Sequence, residues 1–154
     1  MNDQQILISA EGLENLKKEL QDLIELKRPE IAKNIQMARD QGDLSENAQY
    51  DAFKHEQGLV EGRIKELEDI IKKAKIIEES ESNGTVKIGS TVTIHVEGEK
   101  EVIKIVGSME ADAMNKMISH ESPIGTALLG KKVGDVAEVS APVGKLKYKI
   151  LQID

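Results

Sequence analysis

The hydrophobic pattern of the chain changes its period about halfway along. From Ala10 to about Ala74, apolar residues recur mostly at spacings of three, four and seven, which predicts amphipathic helices. After residue 84 they alternate with polar residues, which predicts β-strands. The acidic stretch 78–83 between them has no period and predicts a linker. We therefore expect a helical domain over residues 1–77, a linker over 78–83 and a β-rich domain over 84–154.

The apolar positions of the helical half form narrow stripes on otherwise charged helices, which indicates a coiled-coil seam. The stripe positions are Leu13, Leu16, Leu20, Leu23, Ile31, Ile35 and Ala38, followed by Phe53, Val60, Ile64, Leu67, Ile71 and Ala74. Ser9 suits the N-cap of the first helix, and Pro29 predicts a mild kink. Because only a short turn near Gly42 separates the two helices, they are predicted to form an antiparallel hairpin.

The second half predicts a small sheet with one short helix. Alternating apolar residues predict strands over 86–96, 102–105, 136–139 and 146–153, with a turn at 97–99. Ser122 and Pro123 have the residue types of an N-cap and a first helical position, and Gly130 suits the end of that helix. The predicted fold class is α+β, with a helical hairpin followed by a β-rich domain.

The amino-acid composition of the chain argues against several classes of function. The 154 residues include no cysteine, which excludes disulfides and cysteine-based metal sites. The sequence has no apolar run long enough for a membrane span and no secretory signal at its start, so a cytoplasmic protein is expected. A formal charge of −7 argues against a broad basic surface for nucleic acid, so any such contact is expected to be local or brokered by a partner protein.

The turn of the hairpin carries two carboxylates three residues apart, Asp43 and Glu46, within the stretch GDLSENA. This spacing fits a capping-box variant, and Ser45 is an alternative N-cap. The same pair could bind Mg²⁺, provided that a second molecule supplies the remaining ligands. The spacing alone leaves both interpretations open.

Four stretches together resemble the Gre transcript cleavage factors of bacterial RNA polymerase. They are RPEI in the first helix, GDLSENA at the turn, EGRI in the second helix and ISHESPIGTALLGKKVGD in the C-terminal half. The resemblance covers the whole chain. It implies a coiled-coil hairpin followed by an FKBP-like domain, and it favours a monomer.

The resemblance also implies a mechanism. In this family the hairpin enters the secondary channel of a backtracked polymerase. Its acidic residues, Asp43 and Glu46 here, bind a second Mg²⁺ beside the polymerase's own ion, and the nascent RNA is cleaved near its 3′ end. Ser45, Asn47 and Tyr50 are the implied supporting residues of the tip. The protein is then a stimulator of the polymerase's own hydrolysis rather than an independent enzyme.

Two further surfaces follow from the same resemblance. Arg39 and Lys54 flank the turn at similar distances and would form a small basic patch for the RNA 3′ segment. The segment Glu121, Ser122 and Pro123 is the expected contact with the rim of the polymerase channel. Taken singly, Arg39 and Lys54 are also compatible with ordinary solvated charge, and Tyr50 with partial burial in the hairpin.

Two alternative functions are considered. Prolyl isomerisation, suggested by an FKBP-like fold, needs a pocket walled by aromatic side chains, and Tyr148 is the only aromatic residue in 84–154. A non-catalytic coiled-coil adaptor or chaperone would explain the hairpin but gives no reason for two carboxylates at its turn. Transcript cleavage is therefore the favoured expectation.

Overall fold

The structure, a computed structural model, describes residues 4–42, 47–78 and 83–154. The secondary-structure elements in chain order are β1 (Ile6–Ile8), α1 (Ala10–Asp22), a π-helical turn (Leu23–Lys27), α2 (Arg28–Asp40), α3 (Ala48–Lys73), β2 (Ala74–Ile76), β3 (Thr91–Val96), β4 (Glu99–Val106), β5 (Met117–Ser119), α4 (Pro123–Leu128), β6 (Val136–Ala141) and β7 (Gly144–Ile153). Short 3₁₀ turns occupy Ser108–Glu110 and Ala113–Asn115. Within the described ranges, no helix is both long enough and apolar enough to span a membrane.

Helices α2 and α3 form the predicted hairpin through a narrow buried seam. The seam is built around Ile31 and Ile35 from α2 and Val60 and Ile64 from α3, which are all buried. Half-buried apolar residues extend it at both ends, namely Leu20, Leu23, Ile24, Tyr50 and Phe53. The α3 stripe differs from the prediction near its end, since Ile70 rather than Ile71 is buried.

The predicted kink at Pro29 takes the form of a wider helical turn. Proline has no backbone N–H, so the regular hydrogen bond to the carbonyl four residues earlier cannot form there. Immediately before it, residues Leu23–Lys27 adopt a π-helical turn, and the backbone N–H of Arg28 donates to the carbonyl of Leu23, five residues earlier. The apolar stripe resumes at Ile31, which is 1% exposed.

The C-terminal part of the chain contains a five-stranded sheet in the order β5-β4-β3-β7-β6. All neighbouring strands are antiparallel except β4 and β5, which are parallel. One face of the sheet packs with α4 around a buried apolar cluster, which consists of Val86, Val92, Ile94, Ile103, Ile105, Leu128, Ala137, Val139, Tyr148 and Ile150. Together with the hairpin, this sheet confirms the α+β fold class.

The first predicted strand of this region begins later than expected. Val86 is buried, but Gly89 has a φ of +97° and turns the chain before Thr91. A left-handed backbone suits glycine and interrupts an extended strand. Residues 86–88 therefore precede β3 instead of belonging to it.

A second, two-stranded sheet joins distant parts of the sequence. Strands β1 and β2 are parallel, with Ile6 beside Ala74 and Ile8 beside Ile76. The chain accordingly divides into a compact unit of Met1–Gly12 with Ala74–Asp154 and another of Leu13–Lys73. These units differ from the predicted ranges 1–77, 78–83 and 84–154, because residues near both ends of the hairpin segment pack with the C-terminal part.

The N-terminal strand is tied to the 3₁₀ turn at Ser108–Glu110. The backbone N–H of Ser9 donates to a Glu110 carboxylate oxygen at 2.9 Å, and the Ser9 hydroxyl donates to the other oxygen. The backbone N–H of Gly12 donates to that hydroxyl at 2.9 Å, so Ser9 is the predicted N-cap of α1. A Cβ atom at Gly107 would lie 2.0 Å from the carbonyl oxygen of Leu7, so only glycine allows this approach.

Candidate functional site

The end of the hairpin is closed by one side chain, that of Asn47. Its Oδ1 accepts a hydrogen bond from the backbone N–H of Tyr50 at 3.0 Å, which makes Asn47 the N-cap of α3. Its Nδ2 donates to the carbonyl oxygen of Ala38 in the last turn of α2 at 2.7 Å. One amide therefore satisfies a free donor at the start of α3 and adds a second hydrogen bond to the Ala38 carbonyl, which also accepts from the backbone N–H of Gln41 at 3.3 Å.

The predicted acidic pair lies within the segment that this amide closes. Asp43, Ser45 and Glu46 fall outside the described residues, so their metal-binding and supporting roles stay predictions. The described flanks are Gly42, with a φ of +130°, and Asn47. Because Asn47 caps α3, which begins at Ala48, the N-cap position predicted at Asp43 or Ser45 is occupied by a different residue.

Arg39, Lys54 and Tyr50 lie near this closure. Arg39 is exposed in the last turn of α2, and its guanidinium has no partner among the described residues. Lys54 is exposed on α3, where its ammonium donates to the Gln57 side chain at 3.0 Å. Tyr50 is half-buried against the seam, as its structural interpretation predicted. Arg39 and Lys54 are exposed cations, and the predicted RNA patch that they would form remains a prediction.

Interhelical ion pairs fix the register of the hairpin behind its tip. Arg28 donates to both carboxylate oxygens of Glu61, at 2.8 and 3.0 Å, and Arg63 does the same to Glu19, at 2.7 and 3.0 Å. Lys27 pairs with Glu56 at 2.8 Å. Glu19, the partner nearest the N-terminus, pairs with Arg63, whereas Lys27 pairs with Glu56, so the two ends of the ladder run in antiparallel order.

These pairs also shift protonation equilibria. The hydrogen bond from the Arg28 guanidinium lowers the pKa of the Glu61 carboxyl, against the opposing effect of partial burial. The Glu56 carboxylate raises the pKa of Lys27, and Glu19 raises that of Arg63. All of these side chains are more than a third exposed, so each pair stabilises the hairpin modestly and salt screens it.

From the sequence alone, RPEI and EGRI are only signs of resemblance. The structure gives a physical role to Arg28 of the first stretch and to Glu61 and Arg63 of the second, because they form the rungs of this ladder. Their opposite charges could have suggested pairing, but the partners lie 33 and 44 residues apart. Only the register of the hairpin identifies them.

The predicted docking segment forms the start of α4. The Ser122 hydroxyl accepts from the backbone N–H of Gly125 at 3.1 Å, and Pro123 follows at the first helical position, as predicted. The carboxylate of Glu121 accepts from the Ser108 hydroxyl at 2.6 Å, an interaction that the sequence analysis missed. Glu121 and Pro123 are exposed, whereas Ser122 is partly buried by its capping role.

The interior of this domain offers no support for prolyl isomerisation. Tyr148, the aromatic residue on which such a pocket would depend, is 8% exposed and belongs to the apolar core. Burial raises the pKa of its phenol, with a further contribution from the charges of Glu101 and Glu97. Within the described ranges, no group of three or more His, Asp or Glu side chains is arranged to hold a metal ion.

Comparisons with known proteins identify the family. A family model described as "Transcription elongation factor, N-terminal" matches residues 6–76. A second one, "Transcription elongation factor, GreA/GreB, C-term", matches residues 81–154. This chain belongs to the GreA/GreB family of transcription elongation factors.

Curated relatives agree with this assignment over nearly their full length. Transcription elongation factor GreA of Thermomicrobium roseum is 44% identical, with 99% of both chains covered. The GreA of Thermoanaerobacter pseudethanolicus is 51% identical, with 96% of both covered. A solved structure of GreA factor homolog 1 from Thermus thermophilus is 31% identical and has a TM-score of 0.46, covering 97% of this chain and 99% of that one. The chain is a Gre-type transcription elongation factor.

Proposed function

We propose that this Gre-type factor enters the secondary channel of a backtracked bacterial RNA polymerase and stimulates Mg²⁺-dependent cleavage of the nascent RNA 3′ segment. The polymerase supplies the catalytic centre, so the factor is a stimulator and not an independent enzyme. It acts as a monomer in the cytoplasm, where its partner works. The observation that carries this proposal is the closure of the hairpin by Asn47, which holds the acidic segment between two anchored helix ends.

The acidic residues are not needed to cap α3. Asn47 already supplies the side-chain acceptor that the start of α3 needs. Two carboxylates in a turn of a few residues repel each other unless a cation or hydrogen-bond donors compensate them. Asp43 and Glu46 therefore suit a site that is completed by another molecule.

The donor set fits Mg²⁺ only in part. Mg²⁺ prefers oxygen ligands and usually takes one or two carboxylates together with water and substrate phosphates. Asp43 and Glu46 would supply the carboxylates, and the polymerase and the RNA would supply the rest. When bound between them, the ion would lower the pKa of a water molecule and stabilise charge on the phosphate. The residues of this chain would hold and orient the ion, and in this proposal they provide no independent nucleophile.

Three other sets of residues have supporting roles in this proposal. Arg39 and Lys54 attract the RNA phosphates beside the tip, while Tyr50 packs at the base of the tip. The segment Glu121, Ser122 and Pro123 contacts the rim of the channel, with Ser122 holding the backbone of that segment as the cap of α4. The ion-pair ladder keeps the hairpin in one register, so that the tip reaches a defined depth.

The decisive experiment compares amide variants of the acidic pair with amide variants of neighbouring acids. Asp43→Asn and Glu46→Gln should reduce RNA cleavage in backtracked elongation complexes by about 10³-fold, the scale for losing a group that stabilises the transition state. The matched variants Asp40→Asn and Asp51→Asn, which change exposed acids on the adjoining helix ends, should remain within a few-fold of the wild type. Raising the Mg²⁺ concentration should partly restore cleavage by the first pair only.

Competition separates loss of chemistry from loss of binding. The Asp43→Asn and Glu46→Gln variants should still displace the wild-type factor from polymerase, since the hairpin and the docking segment are unchanged. A wild-type cleavage rate for both variants would refute the metal role. It would leave a non-catalytic adaptor as the function, because such a protein needs the hairpin but not its carboxylates.

A further inference from the structure

The outer face of the five-stranded sheet concentrates positive charge in an acidic protein. Residues 84–154 contain nine basic and nine acidic residues, so this part of the chain is neutral as a whole. The alternation of the strands nevertheless directs five exposed lysines to the face opposite the apolar core. These are Lys100, Lys104, Lys145, Lys147 and Lys149, and we name them the lysine face.

The strand registers bring these lysines together. Lys100 and Lys149 flank His95 on the two neighbouring strands, in a row across β4, β3 and β7. Lys147 and Lys145 continue from Lys149 along β7 at every second residue. With strands about 4.8 Å apart and about 3.4 Å per residue, the row spans roughly 10 Å and the column roughly 14 Å.

Few acidic side chains lie on the lysine face to neutralise its positive charge. Glu138, which lies opposite Lys147 on β6, is the one acidic residue at an outward position in the described strands β3, β4, β6 and β7. The ammonium groups of the five lysines have no ion-pair or hydrogen-bond partner among the residues that the structure describes. By contrast, Lys116 at the edge of the sheet pairs with Glu101 at 3.2 Å.

We propose that the lysine face binds the phosphate backbone of double-stranded DNA without sequence preference. Lysines are compact point charges that suit phosphates, and a column of roughly 14 Å spans about four base steps along the axis of a duplex, at 3.4 Å each. The face presents no Phe, Tyr or Trp, and its one imidazole, that of His95, is half-buried, so bases of a single strand have little surface on which to stack.

An acidic protein is the less suitable occupant. Protein interfaces depend on buried anchors, most often Trp, Tyr or Arg, and their centres are depleted in lysine. The remaining outward residues of this face are small, such as Thr91, Thr93, Val102, Val136 and Ser140. A proposed contact of this kind is weak, and salt must weaken it further. It is independent of the acidic tip and of the proposed cleavage activity.

The test measures binding of the full-length protein to a short labelled DNA duplex by fluorescence anisotropy at a series of salt concentrations. The wild type should bind at low salt and lose affinity steeply as salt rises. Lys147→Gln with Lys149→Gln should weaken binding about tenfold and reduce the slope of log K against log salt by about 1.8, since each phosphate contact contributes about 0.9. The matched control, Lys131→Gln with Lys132→Gln, removes the same charge from an exposed loop of the same domain and should change affinity less than about twofold.

A change of opposite sign sharpens the test. Glu138→Gln removes the acid of the lysine face and should tighten DNA binding. Glu99→Gln removes an exposed acid whose place in the alternation of β4 assigns it to the other side of the sheet, and it should leave DNA binding unchanged. Thermal unfolding of every variant should stay close to that of the wild type, because all substituted side chains are exposed.

Four outcomes would overturn the proposal. The first is no binding of the wild-type protein at low salt, which would make the lysines a solvated face only. The second is an equal loss in the two lysine pairs, which would show an effect of net charge. The third is equal competition by single-stranded RNA or polyglutamate, which would show that any polyanion suffices. The fourth is loss of binding with Arg39→Ala and Lys54→Ala but not with the β7 lysines, which would place the DNA on the hairpin.

Discussion

The hairpin and the five-stranded sheet are stabilised in different ways. The hairpin buries a narrow line of aliphatic residues around Ile31, Ile35, Val60 and Ile64, and exposed ion pairs flank that line. The sheet surrounds α4 with a compact apolar cluster that includes a buried tyrosine. The comparison shows that stability in the hairpin is spread along its length, whereas stability in the sheet is concentrated in one core. The hairpin should respond locally and gradually to change, and the sheet should respond as a unit.

The largest expected difference concerns the removal of one isoleucine from each region. Ile150→Ala deletes a side chain that is 0% exposed in the sheet core and should lower the free energy of unfolding by about 4 kcal/mol. Ile35→Ala, at 7% exposed in the seam, should cost about 2 kcal/mol, because the thin seam can partly collapse around the gap.

Urea denaturation followed by tyrosine fluorescence can separate the two regions. The protein has no tryptophan and two tyrosines, Tyr50 in the hairpin and Tyr148 in the sheet core. In a Tyr50→Phe background the signal reports the sheet alone, and in a Tyr148→Phe background it reports the hairpin. Equal losses at Ile150 and Ile35 would contradict the contrast between a core and a seam.

A smaller effect is expected from the amide that closes the hairpin. Asn47→Ala removes the cap of α3 and the donor to Ala38, and it should destabilise the hairpin by about 1–2 kcal/mol. Asn47→Ser can still cap the helix but cannot span the gap to Ala38, so it should destabilise the hairpin by about half as much as Asn47→Ala. The exposed Gln49→Ala serves as the control and should be neutral. Thermal unfolding measured by circular dichroism checks the order, and a fully stable Asn47→Ala would show that the closure contributes nothing.

The glycines of the two regions should respond with opposite signs. Gly62 lies within α3 with nothing within 4 Å of an added Cβ, so Gly62→Ala should stabilise the hairpin by about 0.5–1 kcal/mol. A Cβ at Gly125 would lie 2.0 Å from the carbonyl oxygen of Ser119, so Gly125→Ala should destabilise the sheet domain. The midpoints of thermal unfolding should therefore move in opposite directions, and a shift of the same sign in both variants would contradict the packing described here.

The smallest effects concern pH, and the two regions should weaken at opposite ends of the scale. The pKa of Glu61 is lowered from its ordinary value of 4.5 by Arg28, so its contribution is complete above that value and is lost as pH falls through the lower folded pKa. Glu61→Gln should remove this part of the acid sensitivity of the hairpin.

The tyrosine of the sheet core responds to alkali instead. Burial raises the pKa of Tyr148 above its ordinary 10.0, so its contribution is complete below that value and is lost as pH rises through the higher folded pKa. Tyr148→Phe should reduce the alkaline loss of stability of the sheet domain and leave the hairpin unchanged. Unfolding midpoints measured across the pH range would contradict this if the variant were as sensitive to alkali as the wild type.

Local signals in the sequence predicted local structure well. The cap at Ser9, the start of α4 at Ser122 and Pro123, and the antiparallel hairpin all depend on neighbouring residues or short turns, and all are present. The family resemblance is likewise confirmed, because two family models match residues 6–76 and 81–154.

What the sequence analysis missed depends on contacts between distant residues. The pairing of Ile6 with Ala74, the approach of Leu7 to Gly107 and the lysine face all require a strand register that periodicity does not contain. At the tip, several polar residues could each cap α3, and spacing could not decide among them. Asp43 and Glu46, the centre of the proposed site, lie outside the described residues, so the proposal for them rests on their described flanks and on family membership.

The parallel pairing of β1 and β2 has a consequence for the length of the hairpin. The chain leaves one strand at Ile8 and returns in the adjacent strand at Ala74, so the whole segment between them is topologically an insertion whose two ends are neighbours. Adding or removing matched heptads in both arms would alter the reach of this insertion without disturbing the strands at its base. The hairpin segment can therefore change in length while β1 and β2 stay paired at its base.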